Sequence, residues 1–545
     1  MNKNIKIYFL IAGLLFVFNA CQDMLDTNSS LIAKEGEYQI NNEIEASSAL
    51  DGIVGELVSI ADRYVLMGEL RGELMTTSEF ASSELQDVNR FQASNDNEYA
   101  DKRGYYNIIN NCNLLLQKLD TTLVLQNEKV LLPYHIATKR LRAWTYFQLG
   151  QVYGKVTYFT QPILDLEASL AQYPEIKLDE LVDTLIDELS PYVSIPAIFR
   201  SPIIPIRVFL GDLYLYKNEY RKAASLYYDE IYEEGIRVYN DVNQWTNTNM
   251  ENAYVNHSNA YFNEAITWLP GYISMQSVHS RLVSLSYNDK PSVLPSANYI
   301  RFMSEALYLH ETNNGVAAAP SGDLRGMVRG ANFQIGDAYD YVSVKGNQEY
   351  MIFKYYYASS IFTGVDPDNG LLYDLHIQGA IPIYRIPHLY LRFAEALNRL
   401  EKPTLAFAVL KYGLSYATVS DPVTGKVNPN ELSEAFTRFP QATFFDYNVS
   451  MSGRGRGNGV SADTEFFIIP DLLTKQDSIL WVEDRILEEM AAETPFEGNR
   501  FFDLLRVSRR RVNHPAYMAE KVAAKYQDQE GMKAKLMNLN TWFLP

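Results

Sequence analysis

Ile206-Arg207-Val208-Phe209-Leu210-Gly211-Asp212-Leu213-Tyr214-Leu215-Tyr216 is followed by Lys217-Asn218-Glu219, and then by Tyr220-Arg221-Lys222-Ala223-Ala224-Ser225-Leu226-Tyr227-Tyr228-Asp229-Glu230-Ile231. In the first run Ile206, Phe209, Leu210, Leu213 and Tyr216 recur at three- and four-residue spacing, which is one apolar face of a helix. Tyr220, Ala223, Ala224, Tyr227 and Ile231 repeat that spacing in the second. Two such helices joined by a short polar turn pack antiparallel, with small residues where the backbones come closest.

The same unit returns along the chain. Ala143, Tyr146, Phe147, Gly150 and Tyr153 mark one face of a helix from about Ile136 to Tyr153. Leu389, Phe393, Ala396, Leu397 and Leu400 mark another; Glu401-Lys402-Pro403 breaks it, and Leu405, Ala408, Val409 and Tyr412 resume the pattern. Pairs of this kind resemble tetratricopeptide units of about 34 residues. Irregular stretches separate them, so a regular solenoid is excluded, and each pair must bury its stripe on a neighbour. The segment from about 236 to 381 differs: it is rich in Asn, Ser, Gly and Tyr, with prolines at 270, 291, 295, 320 and 367 and strand-like runs such as Tyr350 to Tyr355. It reads as loops, short helices and small hairpins standing on the helical scaffold. The expected fold class is therefore mostly α, a scaffold of tetratricopeptide-like helix pairs carrying irregular insertions, and the expected organisation is a single domain over 31–545.

Of the 545 residues, 47% are hydrophobic and 21% charged, a globular composition. Lys and Arg number 48 against 66 Asp and Glu, a net charge of −18, which lacks the basic footprint of a nucleic-acid binder. Lys3 and Lys6 precede an uncharged, mostly apolar stretch from Ile7 to Phe18, too short to span a bilayer. Residues 1–20 read as an export signal, and 21–30 as a polar tether. Phe18-Asn19-Ala20-Cys21 resembles a lipobox, with Cys21 the lipidated first residue of the mature chain; Phe18 departs from the usual leucine, and a plain signal followed by a coincidental cysteine is the alternative. The other cysteine, Cys112, lies on the stripe Tyr105, Ile108, Ile109, Cys112, Leu115 and reads as a buried, inert thiol.

Catalytic patterns return little. The seven histidines include no His-Glu-x-x-His pair, and there is no Gly-x-Ser-x-Gly elbow or phosphate-cradling Gly-x-x-x-x-Gly-Lys-Ser/Thr. Gly453 to Gly459 lacks a strand-then-helix context, and Asp366 to Gly370 places its glycine wrongly for a calcium loop. No metal and no cofactor are expected. Near the C-terminus an acidic helix from Asp477 to Glu493 precedes a basic one opening at Phe496 and ending in Arg509-Arg510-Arg511. Intramolecular pairing between the two is the expected use of those charges.

Six pieces in order carry a resemblance: Cys21 to Asp26; Gly68-Glu69-Leu70-Arg71-Gly72-Glu73; Tyr106 to Asn113; Leu141-Arg142-Ala143 through Tyr153-Gly154; Tyr384-Arg385-Ile386 into Leu391 to Asn398; and Glu488 to Glu493 through Phe496-Glu497-Gly498-x-Arg500-x-x-Asp503-Leu504-x-Arg506. Over nearly its whole length the chain resembles the RagB/SusD nutrient-binding outer-membrane lipoproteins of Bacteroidetes. One departure is Val156-Thr157 after Tyr153-Gly154, where the family usually has Val-Pro. The resemblance implies a surface-exposed protein lipid-anchored to the outer membrane at Cys21. It implies capture of oligosaccharide, or in some members peptide, delivery to a SusC-like TonB-dependent transporter, and no catalysis. A surface glycoside hydrolase, or a helical-repeat scaffold that binds no small ligand, are the alternatives.

A sugar is held by aromatic faces with polar groups on its hydroxyls, so the candidates are loop aromatics and their polar neighbours. One group follows Glu73: Phe80, Arg90, Phe91, Asn95 and Tyr99, with Glu73 itself. The other lies in the insertion: Trp245, Trp268, Tyr272 and Tyr287. Trp144 falls within a packed helix and is excluded.

Overall fold

The computed structural model describes residues 39–195, 203–238, 381–454 and 474–545, with shorter stretches between 264 and 377 and between 460 and 471. The main helices are α1 (Glu43–Glu69), α2 (Ser83–Asn89), α3 (Arg103–Lys118), α4 (Leu132–Tyr153), α5 (Leu178–Leu189), α6 (Ile206–Tyr216), α7 (Tyr220–Glu233), α8 (Ile386–Arg399), α9 (Pro403–Lys411), α10 (Lys475–Glu493), α11 (Arg500–Ser508), α12 (Ala516–Ala523) and α13 (Gln529–Leu536). Each packs on its successor in a continuous run from α3 to α9, and α10 lies across α8 and α9. The run closes on itself, because α1 touches both α3 and α11. The mostly α fold with helix pairs is as the apolar stripes indicate.

The pair quoted first forms as its spacing predicts. Asn218 supplies the left-handed turn (φ 62°), and a Cβ at Gly211 would lie 2.5 Å from the Tyr227 ring, so glycine sets the approach of α6 to α7. Helix α4 starts earlier than Ile136, since Pro133 is at home in a first turn where no backbone N–H is needed. Strands are short. Among those labelled here, β1 (Met75–Thr77) pairs with β5 (Val293–Pro295), β2 (Lys155–Thr157) with β3 (Glu175–Lys177), and β4 (Ala265–Leu269) with β6 (Ile381–Arg385), all antiparallel. The run at Tyr350 splits into a strand, Glu349–Ile352, and a helical turn, Lys354–Tyr357. Cys112 is free and fully buried, and burial pushes its thiol up.

The charged block behaves as expected but begins differently. Phe496 to Asn499 form a turn, with φ of 64° at Phe496 and 87° at Gly498, and the helix starts only at Arg500. The reason is Glu69 at the end of α1. Its carboxylate accepts from the backbone N–H groups of Gly498 at 2.8 Å and Asn499 at 3.2 Å, which keeps those amides out of a helix. A Cβ at Gly68 would stand 1.8 Å from the Gly498 carbonyl oxygen.

Around that contact lies a buried ionic network. Arg385 reaches Glu497 at 2.7 Å, Glu264 at 3.1 Å and Glu493 at 3.5 Å, and Lys354 also pairs with Glu497. Arg506 reaches Glu395 and Asp503, both at 2.7 Å. Arg510 joins Glu395 to Glu483 at 2.7 Å each, and Arg399 and Arg511 complete the shell of Glu483. Asp212, the lone acid in the apolar run of α6, accepts from Tyr227 at 2.6 Å and pairs with Arg392. The arginine run thus serves intramolecular pairing.

Two outcomes follow from these contacts. Gly68→Ala forces α1 away from the 498 turn and lowers stability by about 3 kcal/mol, read as a shift in the urea midpoint. Burial alone would raise the Glu395 carboxyl, but Arg506 and Arg510 reverse this and hold it at about 2 against 4.5 for the free group. Its contribution is complete above pH 4.5 and is lost as pH falls toward 2. The stability advantage of the native chain over Glu395→Gln therefore shrinks across that window, which melting curves at stepped pH will show.

Candidate functional site

Lys155-Val156-Thr157 and Glu175-Ile176-Lys177 each alternate, so each strand buries its middle residue; Lys155, Glu175 and Lys177 are exposed and Thr157 is half-buried. The register sets Val156 against Ile176 inside, and Lys155 directly opposite Lys177 on the exposed face. Like charges in that position are unfavourable. Lys155 is relieved by Glu175 at 2.6 Å.

Helix α4 ends at Gly154 (φ 74°), against whose bare backbone the Phe543 ring lies, 2.8 Å from where a Cβ would be. The Leu544 N–H donates to the Val152 carbonyl at 3.0 Å and fixes the C-terminal segment there. On the other side the chain leaves α2 through Phe91 in a left-handed conformation (φ 56°), with its ring centroid 6.0 Å from that of Phe501. Beneath, the Arg71 guanidinium carbon stands 4.0 Å over the Phe501 ring.

These pieces enclose a cleft of about 500 Å³ lined by Arg71, Phe91, Tyr153, Lys155, Lys177 and Phe543, among others. The volume suits a small ligand. Phe91 and Phe543 are half-buried, and among the described residues, Pro545 at the end of the chain included, no Asp or Glu side chain lines the cleft. Such a surface can bind by stacking and by cationic contacts. A second cavity, between Tyr64, Asp212, Tyr384 and Arg392, holds only about 30 Å³, room for a water. Among the described residues no group of three or more His, Cys, Asp or Glu is placed to hold a metal ion, and no helix is long and apolar enough to cross a membrane.

The residues singled out from the sequence divide. Phe91 lines the cleft, and Arg90 and Asn95 are exposed beside it in sequence. Phe80 is 45% exposed with Lys290 over its ring. Glu73 and Tyr99 are both inside. Glu73 is 4% exposed and pairs with Arg500; Tyr99 is 2% exposed beneath Arg281. Trp268 is half-buried in β4 opposite Pro382. Trp245, Tyr287, the side chain of Tyr272, and Cys21 lie outside the described residues. Trp144 packs on Tyr64, ring centroids 5.5 Å apart. Arg71, Tyr153, Lys155, Lys177 and Phe543 are not among the binding candidates that the sequence suggests, and Tyr153 figures there only on a helical stripe. The first two stood within the quoted motifs, where the signal was a cation and a phenol with no evident partner; the lysine pair depends on a register no local pattern reveals.

No protein-family model matches the chain. A SusD-like protein of Formosa agariphila is 23% identical over 255 residues, which are 45% of this chain and 48% of that protein, so the match spans about half the length of the curated relative. Solved structures align over far more. A SusD superfamily protein of Bacteroides vulgatus matches with a TM-score of 0.57 and 14% identity over 90% of this chain and 92% of its own. One from Bacteroides thetaiotaomicron gives 0.55 and 16% over 93% and 95%. A laminarin-binding SusD-like protein gives 0.51 and 15% over 93% and 96%. The fold is that of the SusD superfamily, as the resemblance implies.

Replacing Glu73 by Gln strands Arg500 without its counter-charge and costs about 3 kcal/mol or more. Because Glu73 faces the interior, the folded variant keeps its ligand affinity; a melting curve beside a titration separates the two effects.

Proposed function

We propose that this SusD-like chain is a surface lipoprotein that captures an oligosaccharide and passes it, unaltered, to a SusC-type TonB-dependent transporter in the outer membrane. The observation that carries the reading is the SusD-superfamily fold across most of the chain, including the likeness to a laminarin-binding protein. The cleft supports it with apolar ring surfaces at Phe91 and Phe543 and a polar rim. Export and the lipid at Cys21 rest on the N-terminal pattern of Lys3, Lys6 and Phe18-Asn19-Ala20-Cys21.

Two carboxyl groups roughly 5 to 10 Å apart across the ligand are what a glycosidase needs. The described cleft offers cations in their place, and His388, which lies 3.6 Å from Glu497, is sealed in the core at 2% exposure. Sugar is preferred to peptide because two half-buried aromatic rings line the cleft.

The test is a glycan and peptide array on the chain starting at Gln22, followed by calorimetry. At least one oligosaccharide binds at micromolar affinity and is recovered unchanged by chromatography. Release of shorter products, or peptides alone on the array, would overturn the reading. In cells of a lipoprotein-sorting host, Cys21→Ala moves the protein from the membrane to the soluble fraction; full membrane retention contradicts the anchor.

A further inference from the structure

Arg71 in the cleft is explained by neither the ionic network nor a hydrogen bond from its terminal nitrogens. It is 1% exposed, and neither Nη1 nor Nη2 has a hydrogen-bond partner among the described residues. Among the described residues no carboxylate acts on it: its guanidinium carbon lies 4.0 Å from the Phe501 ring centroid, and Tyr153 is the ionisable group that it feels. Burial drags the guanidinium down to about 9. The Tyr153 hydroxyl, in the same lining, is also buried without a partner. Everywhere else in this fold a buried arginine of the C-terminal block is met by carboxylates. A buried cation without a counter-charge is costly, and the ring face of Phe501 offsets only part of that cost.

The rim repeats the sign. Lys155 and Lys177 stand opposite one another on the exposed face of β2 and β3, and Glu175 answers only one of them. The Lys102 ammonium lies 4.5 Å from the Tyr153 ring and is lowered by burial and by Lys155. On a chain of net charge −18, this concentration of positive charge around an aromatic-walled cleft is local and specific.

We propose that the cleft is an anion subsite for an acidic oligosaccharide: a uronate carboxylate seats between Lys155 and Lys177, above Arg71, while the sugar ring lies against Phe91 and Phe543. The Lys155–Lys177 pair makes the contacts at the rim. Arg71 holds a positive potential beneath the floor, where low dielectric strengthens it, and its nitrogens and the Tyr153 hydroxyl are available to a group that moves inward. This inference rests on the oligosaccharide reading and narrows it to carboxylated glycans.

The experiment titrates the chain from Gln22 with tetramers of galacturonate, mannuronate and guluronate, each beside its carboxyl-reduced neutral counterpart, and with an acidic peptide. At least one uronate tetramer binds about tenfold or more tighter than its reduced form. That margin falls with added NaCl and falls again in Lys177→Gln, an exposed position that leaves the fold intact. Arg71→Met removes the margin without a change at the rim; if that variant does not fold, Lys155→Gln with Lys177→Gln provides the same readout. Equal binding of acidic and reduced forms, or a margin indifferent to Lys177→Gln, overturns the anion subsite and leaves oligosaccharide capture standing. Binding of the acidic peptide in preference to every glycan, or of no glycan at all, overturns both.

Discussion

A charge carried from water into a protein interior must bring its opposite with it, and this fold carries many inward together. Glu497 gathers Arg385 and Lys354; Glu395 gathers Arg506 and Arg510; Glu483 gathers Arg399, Arg510 and Arg511. The acids and bases come from the helical turn Lys354–Tyr357, the end of β6, α8, α10, α11 and the short segments before and after α11. Any slip of α8 against the Phe496 to Asn499 turn would strand a charge, so alternative arrangements are penalised steeply. The helical stripes make many packings possible, and the ionic network admits one.

That division explains what the sequence disclosed. The α6–α7 pair is local: its five-residue stripes and the turn at Asn218 are complete within thirty residues, so periodicity finds it. The pairing of the acidic helix with the arginine run was also readable, because the two are adjacent. The burial of Glu73 was hidden for the opposite reason. A glutamate close to a loop looks available, and only Arg500, far along the chain, shows that it is taken. The same distance hid Asp212, which reads as an intruder in an apolar helix until Arg392 is placed beside it. The cleft was the least visible part, since Arg71, Phe91, Tyr153, Lys177 and Phe543 come from five separate places. Phe91 alone among them was named in advance as a binding residue.

Scaffold and site divide the labour. Long buried helices with interlocked charges resist deformation, and the cleft is assembled from their ends: the exit of α1, the exit of α2, the C-cap of α4 and the short hairpin after it. Walls held by such elements need little ordering when a ligand arrives, which favours capture by a preformed surface. Gly154 illustrates the economy, because the missing side chain is what lets Phe543 become a wall.

The contact between Glu69 and the Gly498 amide joins residues 429 positions apart. The turn at Gly498 is therefore made long after the first helix that it completes, and until then the glutamate of that helix has no amides to satisfy. Local pairs such as α6 and α7 can close early, but α1 cannot. Such wiring makes the seating of the first helix one of the late events of folding, timed by the arrival of the 498 turn.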